Sequence, residues 1–168
     1  PELMSAIIAF NKAKNKPVYA DANSTLRVTY GTVGGYSPQD GLVATPFTSL
    51  EGLLAKNTDV DPFNAPKKLQ EQIKAKLYGD YTGGMNTVPV NFLSNVDTTG
   101  GNSGSPTLNG KAELVGLLFD GVYESIIGDW DYNPELNRSI HVDSRYMLWV
   151  MDKVDNAQNL LEEMTIVK

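Results

Sequence analysis

The stretch Asp97-Thr-Thr-Gly-Gly-Asn-Ser-Gly-Ser-Pro106 is the most informative part of this sequence. A serine hydroxyl is a weak nucleophile, so a hydrolase that uses one places it beside a base and supplies donors to the oxyanion that forms. Glycines around Ser103 allow a sharp turn that points the amides of Gly101 and Ser103 into one small cavity. The stretch predicts Ser103 as a catalytic nucleophile, with a glycine- and serine-rich hairpin loop as the alternative.

Strands are predicted on both sides of this stretch, over residues 87–96 and 113–119. Another strand is predicted over 24–33, where Leu26, Val28 and Tyr30 alternate with polar residues and define one half-buried face. Pro89 suggests that strand 87–96 lies at a sheet edge. The pattern is completed by one more strand, over residues 138–142, and by four helices. The helices are predicted over 3–14, from Thr48, which forms a capping box with Glu51, over 64–77, capped by Asn64, and over 144–164. It favours a mostly β fold, an antiparallel barrel with flanking helices, over a doubly wound sheet.

Composition excludes several classes of function. The 168 residues carry a net charge of −6, which argues against nucleic acid as a partner, because a phosphate backbone requires a basic surface. The chain contains no cysteine, so it has no disulfide and no thiolate metal site, and no apolar run is long enough to span a membrane. The acidic residues Asp129, Asp131 and Glu135 lack the spacing of a calcium loop, and we expect no metal or other cofactor.

Several motifs resemble those of known serine proteases. Gly101-Asn-Ser-Gly-Ser-Pro106 is similar to the Gly-Asp-Ser-Gly-Gly-Pro motif of chymotrypsin-like enzymes. The whole chain resembles the bacterial dipeptidyl-peptidases seven and eleven, through Asp21-Ala-Asn-Ser-Thr-Leu-Arg-Val-Thr-Tyr-Gly31, Gly35-Tyr-Ser-Pro38, Pro89-Val-Asn-Phe-Leu93, Val115-Gly-Leu-Leu-Phe-Asp120 and Val142-Asp-Ser-Arg-Tyr146. This resemblance implies the C-terminal, six-stranded-type antiparallel β-barrel of a chymotrypsin-like double-barrel protease. Residues 1–16 would end an inserted helical domain, and residues 17–168 would form the barrel with its helical insertions and C-terminal helix.

The same resemblance implies a function. Members of the family are serine aminopeptidases that release N-terminal dipeptides, and they are exported to the periplasm or cell surface of Gram-negative bacteria. Their partners are peptide substrates and the N-terminal barrel of the same enzyme, which supplies the catalytic histidine and aspartate; a homodimer is left open. The histidine of this chain, His141, is expected to be a partly exposed strand residue and not the base, so the isolated chain should be inert. The alternatives are a chymotrypsin-like endopeptidase and a non-catalytic module that retains the protease fold.

Three further residues bear on substrate selection. Asp120 occupies the position at which the family pairs an acid with the substrate's α-ammonium group, a charge-assisted bond that requires a free N-terminus. Gly121 is where family members that cut after Asp or Glu carry arginine, so glycine implies an S1 pocket for apolar side chains. Asp97 lies where trypsin-like enzymes hold the acid that attracts Arg or Lys, and by itself it suggests basic specificity. The alternative is structural hydrogen bonding to the loop, because the family resemblance includes an acid in this segment without implying a basic preference.

Overall fold

The computed structural model describes residues 2–16, 18 and 24–167. Helix α1 (Glu2–Ala13) confirms the helix predicted over residues 3–14, and none of its side chains is buried. Pro17, at the domain boundary predicted between residues 16 and 17, lies outside the described residues. Residues 21–23 of the first family motif lie outside them as well.

Two antiparallel sheets are present in the described residues. Strands β1 (Tyr36–Gln39) and β2 (Leu42–Ala44) form a small hairpin. The main sheet has five strands in the order β3-β4-β7-β6-β5. These are β3 (Phe47–Ser49), β4 (Pro89–Ser94), β5 (Pro106–Leu108), β6 (Leu114–Gly121) and β7 (Ser139–Asp143). The strands predicted over 87–96, 113–119 and 138–142 are therefore confirmed, as is the mostly β fold with flanking helices.

The described strands form an open sheet and not a closed barrel. The strand predicted over residues 24–33 is absent, apart from a single bridge between Val33 and Ser94 at the end of β4. Leu26, Val28 and Tyr30, the predicted half-buried face, are 95%, 83% and 92% exposed. A strand needs a neighbouring strand to accept its backbone hydrogen bonds. In the described residues only the end of this segment, at Val33, has such a neighbour.

Strand β4 is central, which corrects the edge position suggested by Pro89. It lies between β3 and β7, and its residues alternate between buried and half-buried. Pro89 is the first residue of the strand and is paired with Ser49 of β3. A proline at this position is tolerated because the ladder hydrogen bonds are made by the residues after it.

The helices cover one end of the sheet, although two of their start points differ from the prediction. Helix α2 (Leu50–Lys56) is capped by Ser49 and not by Thr48, whose hydroxyl accepts from the Asn91 amide instead. Helix α3 (Lys67–Lys74) starts after Pro66, without a side-chain cap from Asn64. The C-terminal segment is helical but interrupted: α4 (Ser144–Trp149), a π-helical turn (Val150–Val154) and α5 (Gln158–Leu161).

The hydrophobic core lies between these helices and the start of β4. Trp149 is fully buried at its centre, and its indole Nε1 donates to the carbonyl oxygen of Leu77 at 2.9 Å. The other buried members are apolar and come from α2, α3, β4, the residue before β4 and the π-helical turn: Leu50, Leu69, Ile73, Val88, Val90 and Val154. The core fixes β4, and the chain that leaves β4 carries the Ser103 turn.

Candidate active site

Ser103 lies in a tight turn between β4 and β5. Gly101 and Gly104 on either side of it have φ angles of +96° and +87°, a backbone region in which a side chain would be strained. The turn is held by the Gly104 amide, which donates to the Leu118 carbonyl at 2.7 Å, and by the Leu118 amide, which donates to the Ser105 carbonyl at 3.0 Å. Within the described residues no hydrogen bond occupies the amides of Gly101 or Ser103. The geometry therefore leaves available the two donors that the sequence assigns to an oxyanion.

The hydroxyl of Ser103 is exposed and lies against the end of β6. Its Oγ donates to the carbonyl oxygen of Phe119 at 3.4 Å, a long and weak bond that leaves the hydroxyl ready for another partner. Phe119 is the extra residue of a β-bulge, because Leu118 pairs with His141 whereas Asp120 pairs with Ile140. Bulges bend a strand and re-aim its side chains, and they are frequent beside active sites. The bulge leaves both Phe119 and Asp120 exposed next to the serine.

Asp120 and Gly121 end the same strand. The Asp120 carboxylate accepts from the Gly121 amide at 2.8 Å and is otherwise open to solvent. A Cβ atom added to Gly121 would lie 3.4 Å from the Ser125 Cβ and 3.6 Å from the Arg138 carbonyl oxygen, both ordinary contacts. Gly121 is therefore not required by the backbone, and its missing side chain leaves space beside Asp120.

Asp97 is half-buried at the start of the loop that leads to Ser103. Burial raises the pKa of Tyr132, and the nearby Asp97 carboxylate raises it further. The Tyr132 hydroxyl donates to the Asn95 carbonyl at 2.5 Å. The Asp97 carboxylate thus lies near the Tyr132 phenol and the base of the loop. This placement is compatible with a structural role at the loop's start.

His141 lies in a strand as predicted, but the expected partial exposure is wrong: it is 2% exposed in the centre of β7. Its Nε2 is 2.7 Å from the Ser94 Oγ, and its Nδ1 is 2.7 Å from the Thr107 Oγ1. Burial lowers the pKa of the imidazole to about 4. With both nitrogens occupied and the ring neutral, His141 is not placed to act as a base for Ser103, in agreement with the prediction.

No pattern in the sequence predicts the hydrogen-bond network around His141. The ring stacks on Phe92 with centroids 4.7 Å apart and planes 7° from parallel. Gly116 makes this possible, because a Cβ there would lie 2.7 Å from the Phe92 ring. The only sequence signal is the polar alternation Ser139-Ile-His-Val-Asp143, which is typical of a strand but does not say which face is buried.

No metal centre or membrane helix is found in the described part of the chain. Among residues 2–16, 18 and 24–167, no cluster of three or more His, Asp or Glu side chains could hold a metal ion. No helix in the same residues is long and apolar enough to cross a bilayer.

The chain resembles a set of bacterial dipeptidyl-peptidases. It is 50% identical to an Asp/Glu-specific dipeptidyl-peptidase of Shewanella putrefaciens, over 100% of this chain and 26% of that protein. It is 44% identical to dipeptidyl-peptidase 7 of Phocaeicola vulgatus, over 91% of this chain and 21% of that protein. The chain thus spans about a quarter or less of the length of these relatives.

A solved structure supports the same relationship. The crystal structure of Porphyromonas endodontalis DPP11 in complex with the dipeptide Arg-Asp matches with a TM-score of 0.85 and 40% identity, covering 93% of this chain and 23% of that one. The family model described as Peptidase S46 matches residues 1–166. Nearly the whole chain therefore carries the family's sequence pattern, with Ser103, Asp120 and Gly121 inside the matched region. This chain belongs to the peptidase S46 family.

Proposed function

We propose that this chain is the nucleophile-bearing, C-terminal part of a serine dipeptidyl-peptidase that releases dipeptides from the N-termini of peptides. The observation that carries the proposal is the contact between the Ser103 hydroxyl and the carbonyl of Phe119, the residue directly before Asp120. It brings a nucleophile and an exposed carboxylate to the same end of β6. A carboxylate that pairs with the substrate's α-ammonium group would fix how many residues separate the N-terminus from the attacked bond.

The reaction follows from these parts. The Ser103 oxygen attacks the carbonyl carbon of the second substrate residue while its proton passes to a base. The oxyanion then accepts from the amides of Gly101 and Ser103, and collapse breaks the C–N bond as the base returns the proton to the leaving amine. Water releases the dipeptide in a second step of the same kind. The base is assigned to the N-terminal barrel of the enzyme, with its orienting aspartate, because His141 is buried and bonded at both nitrogens.

The first test separates a dipeptidyl-peptidase from an endopeptidase. The full-length enzyme should hydrolyse dipeptidyl chromogenic substrates with a free amine and lose nearly all activity when that amine is acetylated. Asp120→Asn should lower kcat/KM for the free-amine substrate by roughly 10- to 100-fold, the value of a hydrogen bond to a charged group. Asp155→Asn, an exposed aspartate after the π-helical turn, is the matched control. Efficient cleavage of acetylated substrates would favour the endopeptidase.

The second test concerns the nucleophile and the need for the rest of the enzyme. Ser103→Ala should reduce turnover on the order of a thousandfold, because the nucleophile and base act as a unit. The 168-residue chain alone should be inert toward the same substrates. Robust hydrolysis by the isolated chain that Ser103→Ala abolishes would show that the base lies within these residues. A Ser103→Ala enzyme that keeps most of its turnover would assign the nucleophile elsewhere, and inert native enzyme would favour the non-catalytic module.

We also propose that the S1 pocket prefers apolar side chains. The relative at 50% identity is named Asp/Glu-specific and the one at 44% identity dipeptidyl-peptidase 7, and Gly121 is the residue that supports an apolar preference here. Glycine leaves space and brings no cation, so an apolar side chain would gain burial, whereas an acidic one would be desolvated without a partner. If Asp97 determined the pocket instead, the native enzyme would favour Arg or Lys.

Gly121→Arg tests this pocket directly. A side chain fits at this position without backbone strain, since its Cβ would make only ordinary contacts. The guanidinium should fill the apolar space and offer a two-pronged hydrogen bond to Asp or Glu, so the ratio of kcat/KM for Asp over Leu should rise at least about tenfold. Gly121→Ala is the control that adds volume without charge. A native preference for Arg, or an Asp-to-Leu ratio unchanged by Gly121→Arg, would contradict the assignment.

Export to the periplasm or cell surface of a Gram-negative bacterium completes the proposal. Its support is the resemblance to exported peptidases, and the absence of cysteine is compatible with any compartment. Cell fractionation with an antibody to this chain tests it: the protein should be released with periplasmic markers or be accessible on intact cells. Recovery with cytoplasmic markers alone would contradict it.

A further inference from the structure

The loop that carries Ser103 is connected at both ends to one buried side chain. Residues 95–105 leave β4 after Ser94 and enter β5 at Pro106, next to Thr107. The His141 ring lies between these two positions, with Nε2 2.7 Å from the Ser94 hydroxyl and Nδ1 2.7 Å from the Thr107 hydroxyl. A neutral imidazole has one donor and one acceptor nitrogen, so each hydroxyl takes the complementary role.

The order of the strands explains why such a link matters. In the sheet β3-β4-β7-β6-β5, the strands at the two ends of the loop are separated by β7 and β6. No ladder hydrogen bonds therefore join β4 to β5, and the separation of the loop ends depends on the strands between them. The His141 side chain crosses this gap from β7, above Gly116 of β6, whose missing Cβ leaves room for the Phe92 ring beneath the imidazole.

We propose that His141 is a positioning residue that, with Ser94 and Thr107, sets the separation of the two ends of the Ser103 loop. We call these three residues the loop clamp. The inference rests on the proposed function, in which Ser103 is the nucleophile. The clamp does not touch substrate; it acts by holding Ser103 and the amide of Gly101 where the attack and the oxyanion require them. A displacement of about 1 Å in such a site can cost roughly a hundredfold in rate.

The experiment uses three variants of the full-length enzyme. His141→Leu removes both hydrogen bonds, His141→Gln restores a donor and an acceptor, and Val88→Ala weakens the helix-side core, where Val88 is fully buried. His141→Leu should lower kcat by about tenfold or more with KM changed less than about twofold, because Asp120 and the pocket remain. His141→Gln should recover a substantial part of kcat, and Val88→Ala should leave kcat unchanged in its folded fraction. Equal effects of His141→Leu and Val88→Ala would overturn the proposal.

A second measurement keeps the clamp separate from the peptidase assignment. Hydrogen exchange at the amides of Gly104 and Leu118, which hold the turn, should be faster in His141→Leu than in Val88→Ala after correction for global stability. An enzyme without dipeptidyl-peptidase activity would refute the proposed function, while the exchange rates would still test the clamp. If His141→Leu does not fold, Ser94→Ala and Thr107→Val each remove one bond and should show the same faster exchange. Unchanged exchange in these variants overturns the clamp.

Discussion

Acidification should destabilise this fold through His141. Burial lowers the pKa of His141 to about 4 in the folded chain, whereas an unfolded histidine titrates near 6.5. As the pH falls below 6.5, the unfolded state takes up the proton first, so the stabilisation is fully present above 6.5 and is lost as the pH falls toward 4. A difference of about 2.5 pKa units corresponds to about 3 kcal/mol, a large fraction of the 5–15 kcal/mol typical of a domain.

The surroundings of the ring support this assignment. Its hydrogen-bond partners Ser94 and Thr107 are neutral, and Phe92 covers one face. The nearest acid on the same face of β7 is Asp143, which is already paired with Arg145 by an Nη2–Oδ2 contact of 2.7 Å. Protonation would also convert the acceptor nitrogen of His141 into a second donor, so one hydroxyl would have to reverse its role.

Urea unfolding of the 168-residue chain at several pH values measures the effect. Between about pH 7 and about pH 4.5 the wild type should lose about 2 kcal/mol more than His141→Gln, which has no titrating ring. The carboxylates are the same in both proteins, so their contribution to the loss of stability cancels in the difference. Parallel loss of stability in the two proteins would refute the reasoning, and so would an imidazole that titrates near 6.5 by NMR in the folded chain.

Two stability predictions follow from close packing in the same region. Gly116→Ala should lower the free energy of unfolding by about 1–3 kcal/mol, because the new Cβ would lie 2.7 Å from the Phe92 ring. Gly110→Ala is the control and should be nearly neutral, since no atom lies within 4 Å of its Cβ position. The urea unfolding midpoints of the two variants and the wild type measure the difference. Asp143→Asn should cost about 2 kcal/mol because Asp143 is 2% exposed and accepts from Arg145 in a bidentate arrangement, and a thermal shift beside the wild type would measure it. A neutral Gly116→Ala or Asp143→Asn would show that the respective contact relaxes at no cost.

The sequence predicts elements well where their hydrogen-bond partners lie within the chain. The strands predicted over residues 87–96, 113–119 and 138–142 all pair in one sheet. The segment 24–33 has equally clear alternation, yet only Val33 bridges to the sheet. Alternation reports that one face suits burial, but it carries no information about which neighbour buries it.

His141 shows a second limit of pattern reasoning. In Ser139-Ile-His-Val-Asp143 the usual rule places the polar residues in solvent and the apolar ones inside. Here the polar face is the buried one, while Ile140 and Val142 are half-buried. The inversion is stable because each polar side chain has a hydrogen-bond partner. The partners of Ser139 and His141 are distant in sequence, whereas Asp143 pairs with Arg145 at the start of α4. A single sequence therefore identified the strand but not the exposure of its histidine.

His141 cannot serve both as the base for Ser103 and as the buried hydrogen-bond partner of Ser94 and Thr107. A base for Ser103 must reach the hydroxyl, change its protonation during turnover and titrate near the working pH. His141 instead has both nitrogens occupied and, with a pKa of about 4, stays neutral where a base would need to take up a proton. If Ser103 is the nucleophile, the face formed by Ser103, Phe119 and Asp120 must stay exposed in this chain, because the base has to approach the serine from another part of the enzyme. The observed exposure of all three residues meets that requirement.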